Sequence, residues 1–175
     1  MMRKKRIYTV AAVCLLVLLY IMIFLLSSDV AEDSSVKSSA VTEFLLKIWG
    51  FFQNSDGTGT PTTEAAVDLF PLELEKIVRK VAHFSEYFCV GLLSYSLVLL
   101  WWKGKVWSGR VLIGMQLLLS ASLDEIHQYF VPGRYAAVKD VLIDCAGGIT
   151  GMVILGMVFA IRKYKRYKKS PIPFK

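Results

Sequence analysis

The sequence predicts an all-α fold, a polytopic membrane helical bundle with four transmembrane helices and an extracytoplasmic amphipathic helix. Three observations carry this reading. Of the 175 residues, 55% are hydrophobic and 20% charged, and the apolar ones come in blocks rather than in the one-sided stripe of a soluble helix or the alternation of a strand. Four blocks reach roughly the 20 residues that cross a hydrocarbon layer of about 30 Å. Basic residues, finally, collect at one set of block ends. This leaves no room for a water-soluble catalytic or nucleotide-binding domain, so the protein acts in or beside the membrane.

The first block, 7–26, follows Arg3, Lys4, Lys5 and Arg6. Its apolar run exceeds the roughly 7 to 15 residues of a signal-peptide core, so 1–26 reads as a cytoplasmic tail and an uncleaved anchor. Residues 27–75 form the long loop. Within it Val41, Phe44, Leu45, Ile48, Trp49 and Phe52 recur at helical spacing and give 41–52 an apolar face. That face suits a helix lying on the outer leaflet or docking a partner protein. Asn54 to Pro61 has linker composition. Pro71, with its fixed φ, suits the first turn of a helix that continues into the second span, 81–102. The remaining spans are 107–126 and 141–161; 76–161 is thus a three-helix membrane domain, and 162–175 is a basic tail.

Charge sets the orientation. Fourteen of the 21 Lys and Arg residues lie in three places: the N-terminal tail; the loop after the second span (Lys103, Lys105, Arg110); and the C-terminal tail (Arg162, Lys163, Lys165, Arg166, Lys168, Lys169, Lys175). None of the 14 acids is there. The positive-inside rule then puts both termini in the cytoplasm of a multi-pass cell-membrane protein and the 27–80 segment outside. The net charge of +7 reports topology and contact with anionic membrane lipids, and implies no nucleic acid. Cys14, Cys89 and Cys145 lie within spans and read as small buried hydrophobes, with no disulfide framework.

The informative residues are polar ones near the outer ends of spans two to four. Arg79, His83, Glu86 and Tyr87 share one helical face, with Lys80 beside them. Asp124, Glu125, His127 and Gln128 close the third span, Asp124 and Gln128 being i, i+4 partners. Asp140, Asp144, Gly147 and Gly151 form one stripe on the fourth. A charge at mid-bilayer costs at least about 2.5 to 3.5 kcal/mol on insertion scales, so such groups face the bundle and find partners. Gly147 and Gly151, as a Gly-x-x-x-Gly pair, admit a second helix at close range and are read as helix-packing residues. Val131-Pro132-Gly133-Arg134 has the type II turn pattern and presents Arg134 above the cluster. The planar fork of Arg134 suits a phosphate or carboxylate, or equally a salt bridge to Asp124, Glu125 or Asp140.

Lys80 to Tyr87 with Gly91, then Asp124 to Arg134, then Asp140 with Gly147, Gly148 and Gly151, closely resemble the VanZ-like family of membrane proteins. The likeness covers about half the chain. Family members often carry Asn where this chain has Asp144, and a Gly or Ser/Thr pair where it has Ala136 and Ala137. The resemblance implies an integral membrane protein of the bacterial envelope, the founding member being linked to low-level teicoplanin resistance.

Two function classes follow. The favoured one is a non-enzymatic envelope protein whose outer cluster (Lys80, His83, Glu86, Asp124, Glu125, Gln128, Arg134, Asp140, Asp144) binds a lipid-linked or glycopeptide-related ligand. The alternative is a small membrane-embedded enzyme acting on a lipid head group or lipid-linked precursor. His83 and Glu86 would be its acid/base pair, Asp124 and Glu125 further catalytic candidates, and Arg134 its anion holder. The chain has neither a Gly-x-Ser-x-Gly elbow nor a His-Glu-x-x-His zinc helix. His83, Glu86 and Asp124 lack a signature metal spacing, and neither a metal nor another cofactor is expected.

Overall fold

The computed structural model describes residues 2–28, 44 and 64–169. These residues hold four long helices and no strand: α1 (Met2–Ser27), α2 (Glu64–Trp101), α3 (Val106–Tyr129) and α4 (Val138–Lys169). All four are long and apolar enough to cross a membrane. The chain is a multi-pass membrane protein, and its described residues are all-helical in architecture. Of the amphipathic segment 41–52 only Phe44 is described, so the expected surface helix lies outside the described residues.

Helices run past the apolar blocks at nearly every end. Backbone hydrogen bonding does not stop at the hydrocarbon boundary, so α1 takes in Arg3 to Arg6 and α4 continues through the basic segment to Lys169. α2 begins at Glu64, seven residues before Pro71. Proline inside a helix forfeits one hydrogen bond to the preceding turn, and here the helix continues through it rather than starting there.

Four residues join α2 to α3, which makes that pair an antiparallel hairpin, and side-chain bonds fix the remaining order. Trp101 donates to Thr9 Oγ1 (2.7 Å) at one end of the bundle, and Gln128 donates to Ser27 Oγ (3.2 Å) at the other. The helices therefore alternate in direction. The end of α1, the start of α2, the end of α3 and the start of α4 gather at one pole, called here the Arg134 end; the opposite pole, with Trp102 and Arg110, is the Trp102 end.

The most extensive helix pair is α2 with α4, and glycine is the reason. A Cβ at Gly147 would land on the carbonyl oxygen of Phe84, one at Gly151 on that of Phe88, and one at Gly91 on that of Gly148. The two backbones touch without intervening side chains, the packing that small residues permit inside a bilayer, where no hydrophobic force separates protein from lipid. Around this seam Tyr87, Val90, Tyr95, Ile113, Leu117 and Ala121 form the core with Ile23 of α1. α1 otherwise buries little, and Leu15, Leu18, Phe24 and Leu25 face outward, as a helix apolar on all sides does against lipid. Cys14 and Cys89 also face outward and Cys145 is half-buried, all three as free thiols. The expectation of buried cysteines fails for the first two: a thiol is apolar enough that lipid serves it as well as a protein core.

Candidate functional site

The turn after α3 closes as its sequence predicts. Gly133 adopts φ 77°, and the Arg134 amide donates to the Val131 carbonyl at 3.2 Å. This type II geometry needs the positive φ that glycine supplies without strain. It turns Arg134 back over the bundle, where one guanidinium nitrogen donates to Gln128 Oε1 (3.1 Å) and another to the Leu26 carbonyl (3.2 Å). The fork thus grips α3 and the end of α1 together.

Gln128 is the hub. Its Nε2 donates to Asp124 Oδ2 (3.0 Å) and to Ser27 Oγ (3.2 Å) while its Oε1 accepts from Arg134. Glu125 accepts from the Ala137 amide at 2.7 Å, pinning the turn to the first residues of α4. From the neighbouring helices, Lys80 meets Asp140 at 3.5 Å. His83 Nδ1 stands 3.9 Å from Glu86 Oε2 and 3.9 Å from Asp144 Oδ1. Both distances are ion-pair contacts only when the imidazole carries its second proton, and both are too long for hydrogen bonds. His83, Asp124 and Asp144 each bring one ligand-capable atom within 4.8 Å of the others. Asp144 thereby takes the place that Glu86 holds in the sequence-level trio.

These groups surround a cavity of about 240 Å³ at the Arg134 end. Of the sequence-derived candidates, Lys80, His83, Glu125, Gln128, Arg134, Asp140 and Asp144 line it. Asp124 and Glu86 belong to the cluster but lie behind the lining: Asp124 is buried beneath Gln128, and Glu86 sits beside His83. Lys76, Arg79, Gly133, Tyr135 and Ile143 complete the wall. Lys76 and Lys80 are exposed, and Arg79 and Arg134 are half-buried. Asp144 and Glu125 are buried. Bases therefore predominate at the rim, where Asp140 pairs with Lys80, and the buried acids Glu125 and Asp144 form the floor.

Sequence reasoning missed the part played by α1. The fully buried Ser27 and the Leu26 carbonyl hold Gln128 and Arg134. His127 Nε2 lies 3.0 Å from Ser28 Oγ, and its ring stacks on Phe24 with centroids 4.5 Å apart. The pair of serines that ends an otherwise unbroken apolar block was the available signal. Lys76, one turn before Lys80, could be found by extending the α2 face.

A bundle of four membrane helices, tied at one pole by buried acids and carrying a base-rimmed cavity there, defines a multi-pass membrane protein with a built polar site. A family model described as VanZ/LLP1 matches residues 12–159. The chain belongs to the VanZ/LLP1 family. No curated protein and no solved structure matches it.

Proposed function

We propose that this VanZ/LLP1 protein sits in the bacterial cell membrane with both termini cytoplasmic and its cavity facing outward, and that the cavity holds the anionic head group of a lipid-linked envelope component. One observation carries the reading: Lys76, Arg79, Lys80 and Arg134 line a cavity built from residues at the Arg134 pole of the bundle. Arginine there offers a planar fork matched to phosphate or carboxylate oxygens, and the lysines add point charges. Occupying such a head group would withhold it from a glycopeptide such as teicoplanin, which is how the protein would give low-level resistance without chemistry. Membrane lipids are its surroundings and a source of ligand, and the 41–52 segment is the surface offered to a protein partner.

Orientation is tested with single cysteines at positions 55 and 170 in a cysteine-free background and a membrane-impermeant thiol reagent on intact cells. Labelling is expected at position 55 alone; labelling at 170 would overturn the topology and the outward-facing site with it. Ligand binding is tested in nanodiscs with a short-chain lipid pyrophosphate. Arg134→Lys keeps the charge but loses the fork, and binding per folded protein is expected to weaken about tenfold, beyond any loss of protein level from the lost bonds to Gln128 and Leu26. Equal binding by the two proteins would reject Arg134 as the anion holder.

A second reading rests on His83, which stands between Glu86 and Asp144. That arrangement suits proton transfer at a bound head group. Turnover of the lipid pyrophosphate by the wild type that Glu86→Gln abolishes would favour it over simple binding.

A further inference from the structure

We propose that His83, Asp124 and Asp144 are the three protein ligands of a divalent cation site, of the zinc or manganese class, at the floor of the cavity. Each comes from a different helix: His83 from α2, Asp124 from α3 and Asp144 from α4. Their ligand-capable atoms lie within 4.8 Å of one another. Donors about 2.1 Å from a tetrahedral ion stand about 3.4 Å apart, so closing on the ion takes roughly 1 Å of inward side-chain movement.

Two orphaned atoms point to the ion independently of the clustering. Asp144 is only 2% exposed, yet its Oδ1 has no hydrogen-bond partner among the described residues. The buried Nδ1 of His83, which also has none, faces it at 3.9 Å. A buried carboxylate oxygen without a hydrogen bond is costly, and coordination to a metal is one of the few ways such a group is satisfied. A divalent ion would supply both missing partners at once and neutralise the two aspartates.

The surroundings have the form of a supporting shell. Gln128 donates to Asp124 Oδ2, and is itself held by Ser27 and Arg134. Ligands anchored this way are what metal sites use to set orientation. His83 and Asp144 line the cavity, so a fourth coordination position opens towards it, where water or an anionic oxygen of a ligand would bind. One imidazole and two carboxylates suit zinc or manganese better than an all-oxygen ion such as calcium. The cation's binding stands on its own, whereas its use as a bridge to a head-group oxygen rests on the function proposed above.

The test uses the full chain purified in detergent and stripped with a chelator. Zn²⁺ is titrated against a chromogenic competitor, and Mn²⁺ by loss of its free-ion magnetic resonance signal. One ion per chain is expected. His83→Gln and Asp144→Asn should each weaken binding at least 100-fold, and Gln128→Leu about tenfold. Arg110→Gln, at the opposite pole, should change it less than twofold. Wild-type binding no tighter than that of Asp144→Asn would overturn the site, as would equal losses for Arg110→Gln. Should the variants fold poorly, X-ray absorption of the zinc-loaded wild type decides: one imidazole with oxygen donors supports the trio, and oxygen donors alone or a thiolate refute it. Lipid pyrophosphate binding is measured in parallel with and without chelator. Head-group binding that persists when no ion binds removes the cation alone; ion binding without head-group binding removes the proposed function alone.

Discussion

The two poles of the bundle handle charge in opposite ways. At the Trp102 end Trp101, Trp102 and Trp107 are exposed, and the charges project outward. Arg110, the residue there that turns back on the bundle, donates to Tyr95 Oη at 3.2 Å and lies 5.9 Å from the centre of its ring. At the Arg134 end the charges go inside: Asp124, Glu125 and Asp144 are all buried. The same physical cost has two remedies. Charges near a membrane surface are either left hydrated behind an aromatic belt or enclosed with partners. Enclosure demands a closed set of helices, so the pole that carries the site is also the one whose packing has least slack.

That contrast can be broken most severely at the glycine seam. Gly147→Leu would drive a side chain into the Phe84 backbone next to His83, and about 3 kcal/mol of destabilisation is expected, at the upper end of overpacking costs. Gly114→Leu, where a Cβ meets nothing within 4 Å, should cost close to nothing. Thermal unfolding of the two in detergent gives the comparison, and equal melting temperatures would refute the close α2–α4 contact. Gln128→Leu comes next: it strips partners from Asp124, Ser27 and Arg134, each a polar group in or near the buried pole, for about 2 kcal/mol by denaturant titration. Gln116, midway along α3, donates to Tyr20 Oη and Ser94 Oγ at 3.0 Å each. Gln116→Leu, which loses both, should cost about 1.2 kcal/mol at the average of about 0.6 per bond between membrane helices. Arg110→Gln at the Trp102 end should cost least, about 0.5 kcal/mol, because water replaces what it loses. If Arg110→Gln costs as much as Gln128→Leu, the distinction between the poles is wrong.

Much of this was legible from residues alone. Four apolar blocks become four spanning helices, and the stripe of Asp140, Asp144, Gly147 and Gly151 does meet the face of α2 that carries His83, because acids and glycines at helical spacing point one way whatever the tertiary structure. The turn at Gly133 was readable for the same reason, its backbone being dictated by local chemistry. What resisted was contact between elements distant in sequence. Nothing in the apolar run of α1 announces that its last carbonyl will hold Arg134. Nor does spacing distinguish Glu86 from Asp144 as the nearer companion of Asp124, since that depends on how α4 seats against α2. Helix ends were misjudged towards the short side, hydropathy marking where lipid stops and hydrogen bonding where the helix does.

α4 continues without a break from Val138 to Lys169, and its stiffness turns the bundle into a gauge of bilayer thickness. Asp144 and Arg162 are about 18 residues apart on it, or roughly 27 Å at 1.5 Å per residue. Two further rods read nearly the same span: His83 to Trp101 on α2, and Asp124 to Trp107 on α3. Were the tryptophans and Arg162 moored at one face of a hydrocarbon slab of about 30 Å and the helices upright, the trio would lie a few ångströms inside the other. A slab thinner by that margin would lift the three groups level with the head groups; a thicker one would draw them under, at a fraction of a kcal/mol per ångström of mismatch. Lipid chain length then acts as a dial on how wet the pocket floor is.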